Sequence, residues 1–408
     1  MHRTFRLTLI GSAALALASG AALAQNKYGP GVTDKEIKIG NTNPYSGPAS
    51  SYGTIGKAIS AYFKMVNEQG GINGRQINFI SLDDGYQPPK AKEQVRRLVE
   101  KDEVAALFQT LGTPTNSAIH EYMNEAKVPH LFVATGATKW GNPKEFPWTM
   151  GFQPTYQTFG RIAAAYILKN HPNAKIGILY QNDDYGKDYL HGLELGLGKD
   201  GYKKLVVSAQ SYEVTDPTVD SQVVNLKASG ADVFYNITIP KFAAQAIRKA
   251  HDIGWTQVHL LNDVSGSVSA VLKPAGLDKS QGIITAAYLK DPTDPTWKDD
   301  AEFKEWTAWM NKYYPDGDKA SSFNVYGFTV AQLMEQTLKQ AGNDLTRENI
   351  MKQAANLKNF RAKMLLPGIQ VNTSPSDFYP VEQMQLQRFE GETWKLFGPI
   401  FNADGSTS

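Results

Sequence analysis

The sequence predicts an α/β protein of two lobes, and three observations lead there. Strand-like and helix-like stretches alternate from residue 37 almost to the end of the chain, a pattern that calls for parallel sheets covered by helices on both faces. Three irregular segments rich in Pro, Gly and aromatics, at 140–154, 291–297 and 366–380, interrupt the alternation. Three passages of chain between two lobes fit them. The 408 residues are 41% hydrophobic and 20% charged, with no cysteine. That length accommodates two ordinary domains, and their stability must come from buried cores rather than disulfides.

The elements follow in order. Residues 37–40 form a short strand and run into a turn of Asn, Pro, Ser and Gly. Residues 52–69 read as a helix, with Ile55, Ala58, Ile59, Tyr62, Phe63 and Val66 on one face at 3.6 spacing. The run Gly70-Gly-Ile-Asn-Gly-Arg75 is a tight turn in which several residues need positive φ. Strand 77–82, helix 88–101, strand 105–110, helix 115–126 and strand 131–134 complete the first series. A second series comprises helix 156–170, strand 176–180, helix 186–199, strand 205–209, helix 218–229, strand 232–236, helix 241–253 and strand 258–261.

Residues 1–24 read as an export signal. Arg3 and Arg6 precede the uncharged apolar run 7–17, and Ala22-Leu-Ala24 is a small-x-small cleavage site before Gln25. The apolar run is too short for the roughly 20 residues that cross a bilayer. No cysteine follows the site, which argues against a lipid anchor, and a soluble periplasmic protein is expected. The net charge of +2 gives no reason to expect nucleic acid or a membrane surface as partner. Zero cysteine also removes thiol catalysis and cysteine-based zinc sites.

Few motifs carry chemistry. Gly196-Leu-Gly198-Lys-Asp-Gly201 matches a dinucleotide fingerprint, but that fingerprint must follow a strand and open a helix. Here the glycines close a helix and precede a strand, so they are expected as caps and turn. No cofactor is expected. The histidines show no ligand spacing, and no metal site is expected. Asp83-Asp84 and Asp183-Asp184 border turns, where aspartate is mostly structural. The loops Leu111-Gly-Thr-Pro-Thr115 and Thr135-Gly-Ala-Thr138 lie at the carboxyl ends of parallel strands, where open α/β sheets bind ligands. Thr113 has the chemistry of a helix cap and Pro114 that of a first helical residue. A helix start with a hydroxyl and a glycine suits a carboxylate; ordinary loop chemistry accounts for these residues equally well.

Asn43-Pro-Tyr-Ser-Gly-Pro-Ala-Ser-Ser-Tyr-Gly53, Val66-Asn-Glu-Gln-Gly-Gly-Ile-Asn-Gly-Arg75, Asp83-Asp84, Asp183-Asp-Tyr-Gly186 and Ala341-Gly342 together resemble the periplasmic leucine/isoleucine/valine-binding proteins of ABC transporters. The resemblance implies a type I periplasmic binding protein: two Rossmann-like lobes with parallel sheets, joined by a three-crossover hinge and closing on a ligand. The lobes would be 25–150 with 288–365, and 151–287 with 366–408. The resemblance places the ligand carboxylate at Gly112 and Thr113, with Ala134, Thr135 and Gly136 contributing. It makes Tyr52 an aromatic wall, Tyr185 a closing residue from the second lobe, and Asp263 the partner of the ligand ammonium.

The chain departs from that pattern. Tyr86 and Leu111 occupy the positions of the family disulfide, Thr238 replaces a tyrosine, and Gly112 replaces a serine. Trp140, Trp148, Phe152 and Tyr156 near the crossings are expected mainly as core, with room for a ligand ring left open. The expected function is that of a monomeric solute-binding component delivering a small carboxylate to an inner-membrane ABC permease. The ligand is an apolar amino acid, favoured by Asp263 because a buried carboxylate without a cation is costly, or an aromatic or aliphatic acid. A periplasmic sensor for a membrane receptor has the same fold. An enzyme finds no support, since no acid–base constellation is present.

Overall fold

Five parallel strands make the first sheet of the computed structural model, which describes residues 27–407. The expected export segment, 1–24, lies outside the described residues. The strands are β1 Glu36–Asn43, β2 Gln76–Asp83, β3 Ala106–Phe108, β4 His130–Val133 and β5 Thr149–Gly151, in the order β2-β1-β3-β4-β5. Helices α1 Gly53–Glu68, α2 Pro88–Arg96 and α3 Thr113–Glu125 make the crossovers. The apolar face read from the sequence of α1 is the buried one, from Ile55 to Val66. The helix stretch expected at 88–101 ends instead in a π-helical turn, Arg97–Lys101.

The second sheet begins with β6 Ile176–Gln181, β7 Val206–Tyr212, β8 Val233–Ile237, β9 Val258–Leu261 and β10 Ile284–Ala287, all parallel. Its helices are α4 Tyr156–Asn170, α5 Asp184–Leu205, α6 Asp220–Ala228 and α7 Pro240–Asp252. The fingerprint-like glycines do more than cap. Gly196 lies within α5, where a Cβ would come 2.4 Å from the Ala164 Cβ of α4, so the two helices pack nearly backbone to backbone. Gly198, at φ +71, breaks α5, which resumes up to Leu205.

From β10 the chain returns to the first lobe with α8 Ala301–Tyr313, α9 Ser322–Ala341 and α10 Arg347–Ala354. Helix α9 packs on α1 so closely that a Cβ on Gly327 would come 2.7 Å from the Ala58 Cβ. The end of the chain then adds β11 Met384–Glu390 and β12 Thr393–Phe401. The finished order is β12-β11-β10-β9-β8-β6-β7. This antiparallel hairpin is absent from the reading of the sequence. Two adjacent strands joined by Gly391-Glu392 need no crossover helix, so the alternating pattern gives no sign of them.

The three passages lie side by side. The first leaves β5 at Phe152. The second and third run antiparallel, with Leu289 bridged to Leu365, Lys290 N–H donating to Met364 O at 2.9 Å and Leu366 N–H to Tyr288 O at 2.9 Å. Phe152 meets Tyr288 and Tyr326 edge to face. The second passage thus lies just upstream of the irregular segment 291–297.

One buried cation anchors that passage. The Lys290 side chain is 2% exposed and reaches Asp300 at 2.7 Å and Glu302 at 2.8 Å, while Asp300 also caps α8 through Phe303 N–H. Burial pushes both carboxyls up, but their bonds to Lys290 hold them net below the ordinary range. Lys290→Met should lower stability in urea unfolding by roughly 2 kcal/mol, since it removes one partner from a desolvated cluster. Depressed carboxyls contribute their stability above the unfolded-state value and lose it as pH falls. The gap between wild type and variant should therefore close below about pH 4.

Candidate functional site

The carboxyl ends of the strands in both lobes face one cleft. It encloses about 110 Å³, somewhat below the roughly 150 Å³ of an engineered cavity that takes up benzene. That scale suits a molecule of amino-acid size rather than an oligosaccharide. Of the residues singled out in the sequence, Tyr52, Gly112, Thr113, Ala134, Tyr185 and Asp263 line the cleft.

On the first lobe the site is the start of α3. Gly112, at φ +102, takes the N-cap position. A Cβ there would come 2.5 Å from Tyr86 Cε2, so both the backbone conformation and the space require glycine. Thr113 does not cap, contrary to expectation, because Gly112 already holds that position. Its hydroxyl instead pairs with Thr135 Oγ1 at 2.6 Å. The Gly112 N–H is used by Ala134 O and Pro114 has none. The N–H groups of Thr113 and Thr115 remain without intrahelical acceptors, at the positive end of the helix dipole.

The structure does not bring Thr135, Gly136 and Thr238 to the wall. Thr135 is buried behind Thr113, where its oxygen accepts from the Tyr156 hydroxyl at 3.2 Å and the Trp140 indole at 3.2 Å. Gly136 is covered by the Tyr156 ring and Pro154. Thr238 donates to Asn236 and is fully buried, while its carbonyl accepts from Asn262 and Ser265. These three shape the loops that carry the lining residues.

On the second lobe the chemistry belongs to Asp263. Its carboxyl is held up at about 6 by burial, opposed by the Tyr189 phenol, which donates to Oδ1 at 2.5 Å. Tyr189 stacks on Tyr156 with ring centroids 4.4 Å apart, and Tyr156 reaches Thr135. One connected array thus links the start of α3 to Asp263 beneath the cleft. Lys290 also lines the cleft, but its ammonium is engaged by Asp300 and Glu302. Asp291, likewise raised to about 6 by burial, is engaged by Thr293. The cleft is therefore lined by Thr113, at the N-terminus of α3, on one side and by the Asp263 carboxyl on the other.

The sequence reading missed much of the apolar wall. Tyr86, Tyr156, Tyr288, Phe323 and Tyr326 line it, and Tyr52 packs on Phe323 at 5.1 Å. Tyr156 is one of the crossing aromatics for which the sequence leaves a ligand ring open, while Tyr86 stands out there only as a position of the family disulfide. Phe323 and Tyr326 belong to α9, and nothing local distinguishes them from core residues. The acidic pairs are structural as expected: Asp183 caps α5 through Tyr185 and Gly186 N–H. His130 is buried, bonded to Thr110 and Asn116, and burial takes its ring down to about 3. Among the described residues no group of three or more His, Cys, Asp or Glu is placed to hold a metal ion.

The lobes touch across the cleft. The Tyr52 hydroxyl donates to Val264 O at 3.1 Å. Thr138 donates its N–H and hydroxyl to Asp188, each at 2.8 Å, and Lys139 meets Asp184 at 2.7 Å. This is a closed arrangement.

The family model described as periplasmic binding protein matches residues 36–393. The Leu/Ile/Val-binding protein homolog 1 of Brucella abortus is 26% identical over 339 residues, 81% of this chain and 86% of that protein. A branched-chain amino acid ABC transporter structure from Thermus thermophilus with bound valine superposes with a TM-score of 0.81 at 15% identity, covering 91% of this chain and 97% of that one. A fatty acid ABC transporter substrate-binding protein from Thermomonospora curvata gives 0.78 at 25% identity, covering 92% and 95%. The fold is that of the type I periplasmic binding proteins, whose members bind solutes rather than catalyse reactions, and the chain belongs to the periplasmic binding protein family.

Proposed function

We propose that the protein is the solute-binding component of an ABC importer and that its ligand is a free amino acid with an apolar side chain. The observation that carries this reading is the opposed polarity of the cleft. The N-terminus of α3, which reaches the cleft at Thr113, suits a carboxylate. The half-buried Asp263 carboxylate, which accepts from the Tyr189 phenol and among the described residues faces no free cation of the protein in the cleft, calls for a cation. The aromatic wall from Tyr52 to Phe323 takes the side chain. The lobes, 25–150 with 288–365 and 151–287 with 366–408, close on the ligand and present it to the permease. The names of the Brucella and Thermus proteins support an amino acid. The fatty acid-binding relative and the aromatic wall favour a second reading, a carboxylic acid without an ammonium group.

Asp263 separates the two. Charge-assisted bonds contribute on the order of 1.5–3 kcal/mol, so Asp263→Asn should weaken an amino-acid ligand by roughly one to two decades in isothermal titration. A carboxylic acid without ammonium should bind the variant as well as or better than wild type. Thr113→Ala, which removes the hydroxyl that ties the start of α3 to Thr135, should weaken either class. An unchanged affinity in Asp263→Asn for a verified amino-acid ligand refutes the assignment of the ammonium site.

The pH dependence follows from the raised carboxyl. An ammonium ligand needs Asp263 ionised, so its affinity should fall about tenfold per unit as pH drops below about 6. Without ligand the sign reverses for stability. The folded state holds the Asp263 proton more tightly than the unfolded chain, so this group destabilises the protein progressively as pH rises from about 4 to 6. At pH 7.5 ligand-free Asp263→Asn should be more stable than wild type by roughly 2 kcal/mol. Calorimetry should show that difference vanishing near pH 4.

A further inference from the structure

Tyr86 stands beside the proposed carboxylate subsite, and its backbone is strained to put it there. Its φ is +62, in the left-handed region that residues other than glycine avoid. Such conformations persist where the surroundings over-determine them, and they gather at ligand sites. Here Asp83 accepts from the N–H groups of Tyr45, Ser46 and Gly85, from the Ser46 hydroxyl and from Lys90. Asp84 takes the N–H of Tyr86 itself at 2.8 Å. Two adjacent carboxyls thus hold the loop that no disulfide ties down.

The ring is fixed from both lobes. It is 6% exposed and sits against Gly112 closely enough to exclude a Cβ there. Its hydroxyl faces Gln181 at the end of β6, whose amide is held by Tyr212 and Asp183. A ligand whose carboxylate reaches the start of α3 therefore meets the Tyr86 ring beyond it.

We propose that Tyr86 is a specificity-determining residue that walls off the carboxylate end of the cleft, so that free amino acids are accepted and the same amino acids extended through their carboxyl group are rejected. The inference rests on the amino-acid reading above. It assigns Tyr86 to ligand length at one end only, since the side-chain wall is made by Tyr52 and Phe323.

Isothermal titration of L-leucine, L-phenylalanine and L-leucylglycine into wild type, Tyr86→Gly and Tyr86→Phe tests it. Glycine adopts the native φ without strain, and Tyr86→Ala serves as a second truncation should Tyr86→Gly not fold. Truncation should raise the affinity for leucylglycine relative to leucine by about tenfold or more. It should leave the ratio of phenylalanine to leucine unchanged. Tyr86→Phe keeps the ring and should keep both ratios. A folded truncation with an unchanged leucylglycine-to-leucine ratio overturns the inference alone. A shift in the phenylalanine-to-leucine ratio instead overturns it by moving Tyr86 to the side-chain end. A wild type that binds none of the three overturns the proposed function, and this inference with it.

Discussion

Asp263 is a half-buried carboxyl at the cleft, held by the Tyr189 phenol. Burying an unpaired carboxylate is expensive, and the surroundings show how that cost is distributed. Burial moves the group up to about 6 and Tyr189 donates to it. The Tyr189 ring is stacked on Tyr156, an arrangement that contributes about 0.5–1.5 kcal/mol beyond area burial. Tyr156 in turn bonds Thr135, and Thr135 bonds Thr113 at the start of α3. Two ends of opposite polarity are held by one array that crosses between the lobes. Neither end is adjustable without the other.

The same array explains why closure matters. The direct bonds between lobes include Tyr52 to Val264, Thr138 to Asp188 and Lys139 to Asp184, and each one alone is worth only about 0.5–1.5 kcal/mol net, somewhat more where a carboxylate accepts. A ligand shifts the balance between open and closed forms only by its differential contacts. In the proposed function those contacts are the ones to Asp263 and Tyr185 on the second lobe. The paired passages at Leu289 and Leu365, with Lys290 buried between Asp300 and Glu302, give the motion a firm base.

Much of the frame was legible from local patterns. The buried face of α1, the parallel strands of the first sheet and the loop after β3 each follow from periodicity and turn chemistry that act over a few residues. The caps were readable too, as with Asp183 at α5. The cap at α3 was misread, because Thr113 has the right side chain while Gly112 has the required backbone conformation. The hairpin β11–β12 and the break of α5 at Gly198 were also missed. A strand without a crossover and a glycine inside a helix carry weak local signals.

While the second passage between lobes lies just upstream of the irregular segment that announces it, the sequence by itself determined the alternation of strands and helices and the family pattern carried by residues 43–75. Those features depend on interactions between near neighbours in the chain, and the residue types state them directly. The tertiary structure decided which further side chains face the cleft and which of the expected ones do not. Thr238 looks like a wall residue in sequence yet points into the second lobe, bonded to Asn236. Phe323 and Tyr326, on a helix that returns from far along the chain, complete the wall. Tyr86 became part of it through an unusual φ and a glycine opposite. Which face a side chain presents depends on helix rotation and lobe packing, and those are fixed by contacts between segments hundreds of residues apart, such as Tyr52 with Val264.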